Sequence, residues 1–160
     1  MQQKRVLFAC LGNIVRSPLA EHLFLKKVQE RSLSAEYSAD SAGTAGYHVG
    51  DSPDSRMRQT ASSHGLNYDG RARRVADEDF EHYDIIVAMD RSNRDDLYDR
   101  AAGEDEGKKI VLMRAFDPQA AGDQDVPDPY YGDLEGFEAT YQIVDRSLEG
   151  FLDALERGEV

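Results

Sequence analysis

Residues 6–21 have the sequence VLFACLGNIVRSPLAE, in which a short apolar run, Val6–Ala9, leads into Cys10 and a glycine-containing segment. The apolar run is typical of a buried strand. Pro18 suits the first turn of a helix, where its missing N–H leaves no intrahelical bond unmade. The stretch therefore predicts a strand, a loop and a helix in succession, with the only cysteine of the chain at the end of the strand.

The same alternation of apolar runs and helical stretches continues along the chain. Further strands are expected at 37–42, 84–89 and 109–113. Further helices are expected at 56–63, at 92–100 and over a final amphipathic stretch that includes Phe137 to Leu152. Residues 114–132, which include three prolines, are expected to form a long loop.

Strand–helix alternation predicts an α/β fold: a single doubly wound, four-stranded parallel sheet flanked by helices. The sequence has no internal repeat and no linker, so we expect one domain over residues 1–160. In such folds ligands bind at the carboxyl ends of the strands. Cys10 occupies such an end, and we expect a phosphate-binding loop after the first strand.

The segment after Cys10 has the residue types that a cysteine-based phosphatase needs. A thiol attacks phosphorus as the thiolate, which a helix N-terminus, converging N–H groups and a guanidinium all favour. Gly12 and Asn13 tolerate a tight backbone path, and Arg16 can hold two phosphoryl oxygens in its planar fork. Ser17 can donate a hydrogen bond to the sulfur. The predicted loop comprises Leu11, Gly12, Asn13, Ile14, Val15, Arg16 and Ser17. The alternative is that Cys10 is merely a small buried hydrophobe.

Residues 6–21 resemble the phosphate loop of the low-molecular-weight protein tyrosine phosphatases, and the resemblance extends over nearly the whole chain. The other matching blocks are Asp40–Thr44, Tyr47–Gly50, Pro53–Arg56, His64-Gly65, Ala88–Asp90 with Asn93, and Asp128–Asp133. The first block and the last are the most specific. Larger protein tyrosine phosphatases have a similar loop deep in a longer chain, with the catalytic acid upstream of it.

The resemblance implies three catalytic residues. Cys10 would be the nucleophile that forms a cysteinyl-phosphate, and Arg16 would bind the phosphate and stabilise the transition state. Asp128 would protonate the departing phenolate and then activate water. From the residues alone, Asp128 is one carboxylate in an acidic loop beside Asp123 and Asp125, so its role depends on the match of Asp-Pro-Tyr-Tyr-Gly.

The resemblance also implies supporting residues around the loop and the cleft. Residues expected to hold the loop by hydrogen bonds are Asn13, Ser17, Ser41 and His64. Residues expected to form the cleft wall are Leu11, Tyr47, Tyr130 and Tyr131. An aromatic-walled, deep slot favours phosphotyrosine over the shorter phosphoserine. Without the match, His64 would be a helix-end histidine, Ser41 a turn residue, and the tyrosines ordinary half-buried residues.

Val15 stands where family members usually have a second cysteine, which can trap the oxidised nucleophile as a reducible disulfide. Related arsenate reductases need further cysteines, and this chain has none. Protein-arginine phosphatases are the closer alternative, but they usually have threonine at the position of Ile14 and lack the two tyrosines after Asp128-Pro129. A non-catalytic phosphotyrosine-binding module is the other alternative, and the presence of all three expected catalytic residues argues against it.

Composition limits the partners. The formal net charge is −12 and the only basic cluster, Arg71–Arg74, is flanked by acids, so nucleic-acid binding is not expected. No apolar run approaches the ~20 residues of a membrane span, and no signal-peptide pattern is visible. A single cysteine fits a reducing compartment, and we expect a cytoplasmic protein. The four histidines lack metal-ligand spacing, so no metal or cofactor is expected. The expected partners are a phosphotyrosine-containing protein, such as a tyrosine kinase, and phosphate or another oxyanion in the site, for a chain expected to act as a monomer.

Overall fold

The apolar runs assemble into one parallel sheet with helices on both faces in the computed structural model, which describes residues 2–160. The strands are β1 (Lys4–Cys10), β2 (Tyr37–Gly43), β3 (Ile85–Ala88) and β4 (Ile110–Leu112). The helices are α1 (Arg16–Glu30), α2 (Ser55–Ser63), α3 (Asp79–His82), α4 (Arg91–Arg100), α5 (Glu104–Gly107) and α6 (Leu134–Glu156), with a 3-10 helix at Met113–Phe116. The expected α/β class with four parallel strands is confirmed.

The strand order β2-β1-β3-β4 puts β1 at the centre of the sheet. Phe8 of β1 pairs in register with Ser41 of β2 on one side and with Val87 of β3 on the other. The chain leaves β1 toward β2 and leaves β3 toward β4, so the two connections diverge in opposite directions. A crevice therefore opens between the carboxyl ends of β1 and β3, which is where ligands bind in doubly wound sheets.

Both faces of the sheet are buried, which explains the uninterrupted apolar character of β1 and β3. Successive side chains of a strand point to opposite faces. On one face Phe8 packs against Phe24 of α1 and Phe151 of α6, with ring centroids 5.5 and 6.2 Å away. On the other face Leu7 belongs to a separate core with Phe80 of α3. The central strand is thereby held rigidly, and with it the residue at its end.

Several element limits differ from the sequence prediction. Pro18 lies in the first turn of α1, as expected, and α6 begins at Leu134, where Asp133 caps it by accepting the N–H of Gly136. The strand expected at 109–113 is shorter, because the chain turns into the 3-10 helix at Met113. Part of the expected long loop is thus helical. Helices α3 and α5 were not predicted from the sequence, since four residues are too few to show a helical period.

Among the helices of residues 2–160, none combines the length and the apolar character needed to cross a membrane.

Candidate active site

Cys10 ends β1 and its side chain is buried under the segment that leads to α1. The carbonyls of this segment are taken up by neighbouring chain: Thr44 donates its N–H to the Cys10 carbonyl at 2.8 Å, and Asp54 donates to the Ile14 carbonyl at 2.8 Å. By contrast, no protein acceptor within residues 2–160 takes the backbone N–H groups of residues 11–15. Helix α1 also has no side-chain cap at its start. Together these features leave a set of free N–H groups suited to an anion.

The sharp turn of this loop depends on Asn13, which adopts a left-handed conformation with φ of 59°. Gly43 packs directly below the loop, and a Cβ added there would lie 2.8 Å from the Leu11 carbonyl oxygen. Gly12 passes under the ring of His48, where an added Cβ would lie 2.8 Å from His48 Cδ2. The loop therefore has the shape that these residues permit: a side chain at Gly43 would collide with the loop backbone, whereas one at Gly12 would displace the ring of His48.

Arg16 is the first residue of α1 and is almost completely buried. Its Nη1 donates to Asp90 Oδ2 at 2.6 Å and to the Val126 carbonyl at 2.9 Å. Its Nη2 lies 3.6 Å from Asp128 Oδ2. Burial alone would lower the pKa of Arg16. The nearby Cys10, Asp90 and Asp128 outweigh burial, so the pKa of Arg16 is raised above its ordinary value. The guanidinium is permanently charged and fixed in place before any ligand arrives.

Asp128 lies on the loop between the 3-10 helix and α6. Its Oδ1 accepts the N–H of Tyr130 at 3.1 Å, and its side chain is 42% exposed, so solvent can reach it. The loop is tied to the end of β3, because Val126 donates its N–H to the Met89 carbonyl at 2.8 Å. The sheet therefore brings Asp128 to the same cleft as Arg16.

The cleft above the loop is a pocket of about 590 Å³, open to solvent. The four side chains expected in its wall all line it: Leu11, Tyr47, Tyr130 and Tyr131. Tyr47 and Tyr131 are 77% and 97% exposed, so they form a rim and not part of the core. His48, which the sequence analysis did not select, also lines the pocket.

Tyr130 has a cationic neighbour, Arg56, that was not predicted from the sequence. The guanidinium of Arg56 lies 5.3 Å from the Tyr130 ring centroid and 4.7 Å from that of Phe137. Arg56 is itself held by Asp54, the residue that caps α2. This stack supports one aromatic wall of the cleft from behind.

Three of the four expected loop-supporting residues come together. The Asn13 Nδ2 donates to Ser17 Oγ at 2.9 Å and to Ser41 Oγ at 3.0 Å, and Ser17 Oγ lies 3.0 Å from Cys10 Sγ. Arg73, which was not expected, donates its backbone N–H to Asn13 Oδ1 at 3.0 Å. The network thus joins the loop to β2 and to the segment after α2.

The structure does not bring His64 to this network. Its Nε2 lies 2.7 Å from Glu138 Oε1, and its ring stacks on Tyr141 of α6 with centroids 4.1 Å apart. This is the helix-end position that the residue pattern alone suggested, at the C-terminal end of α2.

Asp90, the partner of Arg16, was likewise not predicted from the sequence. A signal for it was present: Asp90 directly follows β3, and the carboxyl ends of adjacent parallel strands share one edge of the sheet. Within the described residues, no three His, Cys, Asp or Glu side chains are grouped in a way that could hold a metal ion.

The fold and the cleft together define a cysteine-dependent phosphatase. Residues 5–160 match the family model described as low molecular weight phosphotyrosine protein phosphatase. A low molecular weight protein-tyrosine-phosphatase of Streptomyces coelicolor is 41% identical over 152 residues, which cover 94% of this chain and 93% of that protein. The chain therefore belongs to the low molecular weight phosphotyrosine protein phosphatase family.

Solved structures agree with this membership. A protein tyrosine phosphatase from Entamoeba histolytica, crystallised with Hepes in its active site, superposes with a TM-score of 0.94 at 40% identity and covers 99% of this chain and 100% of its own. A Drosophila arginine phosphatase superposes with a TM-score of 0.88 at 34% identity, covering 94% of this chain and 97% of its own. The fold is thus common to enzymes named for two different phosphoamino acids.

Proposed function

We propose that this family member hydrolyses phosphotyrosine in proteins, and other aryl phosphates, with Cys10 as nucleophile, Arg16 as phosphate ligand and Asp128 as acid and base. The observation that carries the proposal is the position of Arg16. It is held between Asp90 and the Val126 carbonyl, beside Asp128 and at the mouth of a loop of unpartnered N–H groups.

In the first step the Cys10 thiolate attacks phosphorus, and the P–O bond to the phenol breaks. The loop N–H groups and Arg16 bind the non-bridging oxygens, whose charge they stabilise in the transition state. Asp128 gives its proton to the departing oxygen, so the leaving group is a neutral phenol. The products of this step are the cysteinyl-phosphate and an ionised Asp128.

In the second step the ionised Asp128 takes a proton from a water molecule, which attacks phosphorus. The P–S bond breaks, inorganic phosphate leaves and the thiolate is restored. Ser17, whose Oγ lies 3.0 Å from the sulfur, stabilises that thiolate as the leaving group. The exposed side of Asp128 gives the water its access.

The aromatic rim supports an aryl phosphate as substrate. Tyr47, Tyr130 and Tyr131 offer rings that can stack on a phenyl group, and the loop lies at the floor of the pocket between them. Phosphoarginine is the competing substrate, because the Drosophila relative is named an arginine phosphatase. Its guanidinium would gain less from an apolar slot than a phenyl ring does.

Hydrolysis of p-nitrophenyl phosphate in EDTA by the wild type, Cys10→Ser and Asp128→Ala tests the mechanism. We expect Cys10→Ser to abolish turnover while phosphate binding persists, and Asp128→Ala to lower kcat by about 10²–10⁴-fold. A fully active Cys10→Ser variant excludes the covalent route. Competition between phosphotyrosine and phosphoarginine peptides decides the substrate, and preference for phosphoarginine would overturn the proposal.

Three broader proposals accompany the activity. Residues 1–160 act as a single phosphatase domain, supported by the one continuous sheet. The chain acts as a monomer, since the residues proposed for catalysis all come from one chain. It works in the cytoplasm, where a lone unpaired cysteine stays reduced.

A further inference from the structure

Glu21 lies one turn beyond Ser17 on α1 and does not line the catalytic cleft. Its side chain is largely buried and its Oε1 accepts the Ser41 hydroxyl at 2.6 Å. Ser41 is in turn bonded to Asn13, and through Asn13 to Ser17. Glu21 is thus the far end of a hydrogen-bond chain whose other end is the Cys10 sulfur.

The direction of every bond in this chain follows from counting donors and acceptors. The backbone N–H of Arg73 requires an acceptor, so the oxygen of the Asn13 amide faces Arg73 and the NH₂ group faces the two serines. Asn13 donates to both Ser17 and Ser41, and each hydroxyl has only one proton of its own to give. The Ser41 proton must then go to Glu21, and the Ser17 proton is left for Cys10.

We propose that Glu21 is a positioning residue of this phosphatase: by accepting the Ser41 proton it fixes the direction of the chain so that Ser17 donates to the Cys10 thiolate. The proposal rests on the function proposed above. Without an acceptor at Glu21, the Ser41 hydroxyl proton has no partner and turns toward the Asn13 amide. It then faces the Asn13 N–H that donates to Ser41, and the two donors repel each other. Asn13 is already in a left-handed conformation, which its side-chain bonds help to hold.

The surroundings of Glu21 are costly for a carboxylate, as expected of a retained functional group and not of a solubilising one. His22 Nε2 lies 3.6 Å from its Oε2 on the same helix. Burial and the Asp40 carboxylate on β2 raise the pKa of Glu21 to about 7, against the opposing effects of Ser41 and Arg73. A cavity of about 480 Å³ adjoins it, and the other charged side chains facing that cavity are Asp69 and Arg71.

Alkylation of Cys10 by iodoacetamide tests the proposal without requiring turnover, since Cys10 is the only thiol. Glu21→Met removes the acceptor, Glu21→Gln keeps an oxygen acceptor, and Glu30→Gln is the control at the exposed end of α1. In Glu21→Met we expect alkylation at pH 6 to slow by about five- to tenfold, with the rate profile moved to higher pH, and kcat to fall by a similar factor. Glu21→Gln should retain most of the wild-type rate, and Glu30→Gln all of it.

A double-mutant cycle with Ser41→Ala then shows whether Glu21 acts through Ser41. We expect Glu21→Met to cost nothing further in the Ser41→Ala background. Equal losses in both backgrounds, or an unchanged alkylation profile in Glu21→Met, would overturn the proposal. If Glu21→Met does not fold, Glu21→Leu takes its place: it too removes the acceptor, and an unshifted alkylation profile in that variant overturns the proposal. Failure of the wild type to hydrolyse aryl phosphates would instead refute the proposed function and leave the alkylation result standing.

Discussion

Arg16 and Asp90 are 74 residues apart in the sequence, yet the Arg16 guanidinium donates to the Asp90 carboxylate at 2.6 Å. Asp90 does two things at once, because its Oδ1 also caps α4 by accepting the N–H of Asn93 at 2.7 Å. The residue that holds the proposed phosphate ligand is therefore itself held by a helix terminus. Because the two oxygens of Asp90 have different partners, a substitution can remove the charge that holds Arg16 and keep the oxygen that caps α4.

Asp90→Asn should impair phosphate handling while preserving the helix cap, because asparagine is an equally good cap. Arg16 would lose a buried anionic partner and become free to move, so we expect kcat/KM for p-nitrophenyl phosphate to fall by about 10–100-fold. Weaker inhibition by inorganic phosphate should accompany the loss. An unchanged kcat/KM, with the variant shown to be folded by circular dichroism, would contradict the role given to Asp90.

The loop that carries Asp128 is held by an ion pair at the surface. Arg91 donates to both oxygens of Asp125, at 3.2 and 3.0 Å, and this contact lowers the pKa of Asp125. Asp125→Asn should loosen the loop and reduce kcat by about two- to fivefold with little change in KM, since exposed pairs contribute little each. The loss should shrink at high salt, where the wild-type pair is screened as well.

Asp95→Asn is the matched control. Asp95 pairs with Arg94 on α4, the helix that carries Arg91, but it does not contact the loop that carries Asp128. A loss of equal size in both variants would indicate a general effect of surface charge.

Arg56 supports Tyr130 from behind, and its removal should affect substrate binding more than chemistry. Arg56→Met deletes the cation–π contact, so we expect KM for an aryl phosphate to rise about two- to fivefold with kcat nearly unchanged. An alkyl phosphate, which has no ring to stack, should show no such rise. The same change in Arg58→Met, two residues further along α2, would show that helix charge and not the stack is responsible.

Burial of Glu21 should make the free energy of unfolding fall as the pH rises. Its pKa in the folded protein is raised to about 7, mainly by burial, against an ordinary value of 4.5. The folded state therefore binds a proton that the unfolded state releases between these values, and stability falls as pH rises through that window. Glu21→Gln should remove this slope and, above pH 7, raise the free energy of unfolding by about 1–3 kcal/mol relative to wild type.

Urea denaturation at pH 5 and pH 8 measures the effect, and the difference between the two proteins cancels the titrating groups that do not interact with Glu21. A wild type and a variant with identical pH slopes would mean that Glu21 is ionised normally in the fold.

Val15 occupies the position where relatives of this family usually have a second cysteine, and its side chain is buried in the core. Excess peroxide should therefore carry Cys10 through sulfenic to sulfinic acid, because no neighbouring thiol can intercept it. We expect dithiothreitol to restore little activity after full inactivation, and mass spectrometry to show two added oxygens on Cys10. Recovery of most activity would disprove this; Val15→Cys should show such recovery.

The residues of the phosphate-binding loop could be predicted from the sequence alone. Cys10, Gly12, Asn13 and Arg16 belong to one strand–loop–helix unit, so their order along the chain already constrains their geometry. Strands β1 and β3 were likewise predictable from their continuous apolar runs, and helices α1 and α6 from apolar residues at helical spacing. Asp128 became identifiable only through resemblance, since nothing in its local sequence separates it from Asp123.

The contacts across the sheet edge depend on the tertiary fold. Pairing of β1 with β3 brings Asp90 to Arg16, and the Val126 carbonyl reaches the same guanidinium from 110 residues away. Pairing of β1 with β2 brings Ser41 beneath Asn13, and so links Glu21 to the sulfur. His64 contacts Glu138 and Tyr141 of α6 and does not reach this network. Hydrogen bonds and ion pairs need atoms within about 3–4 Å, and strand pairing, which no local pattern encodes, sets which distant residues come that close.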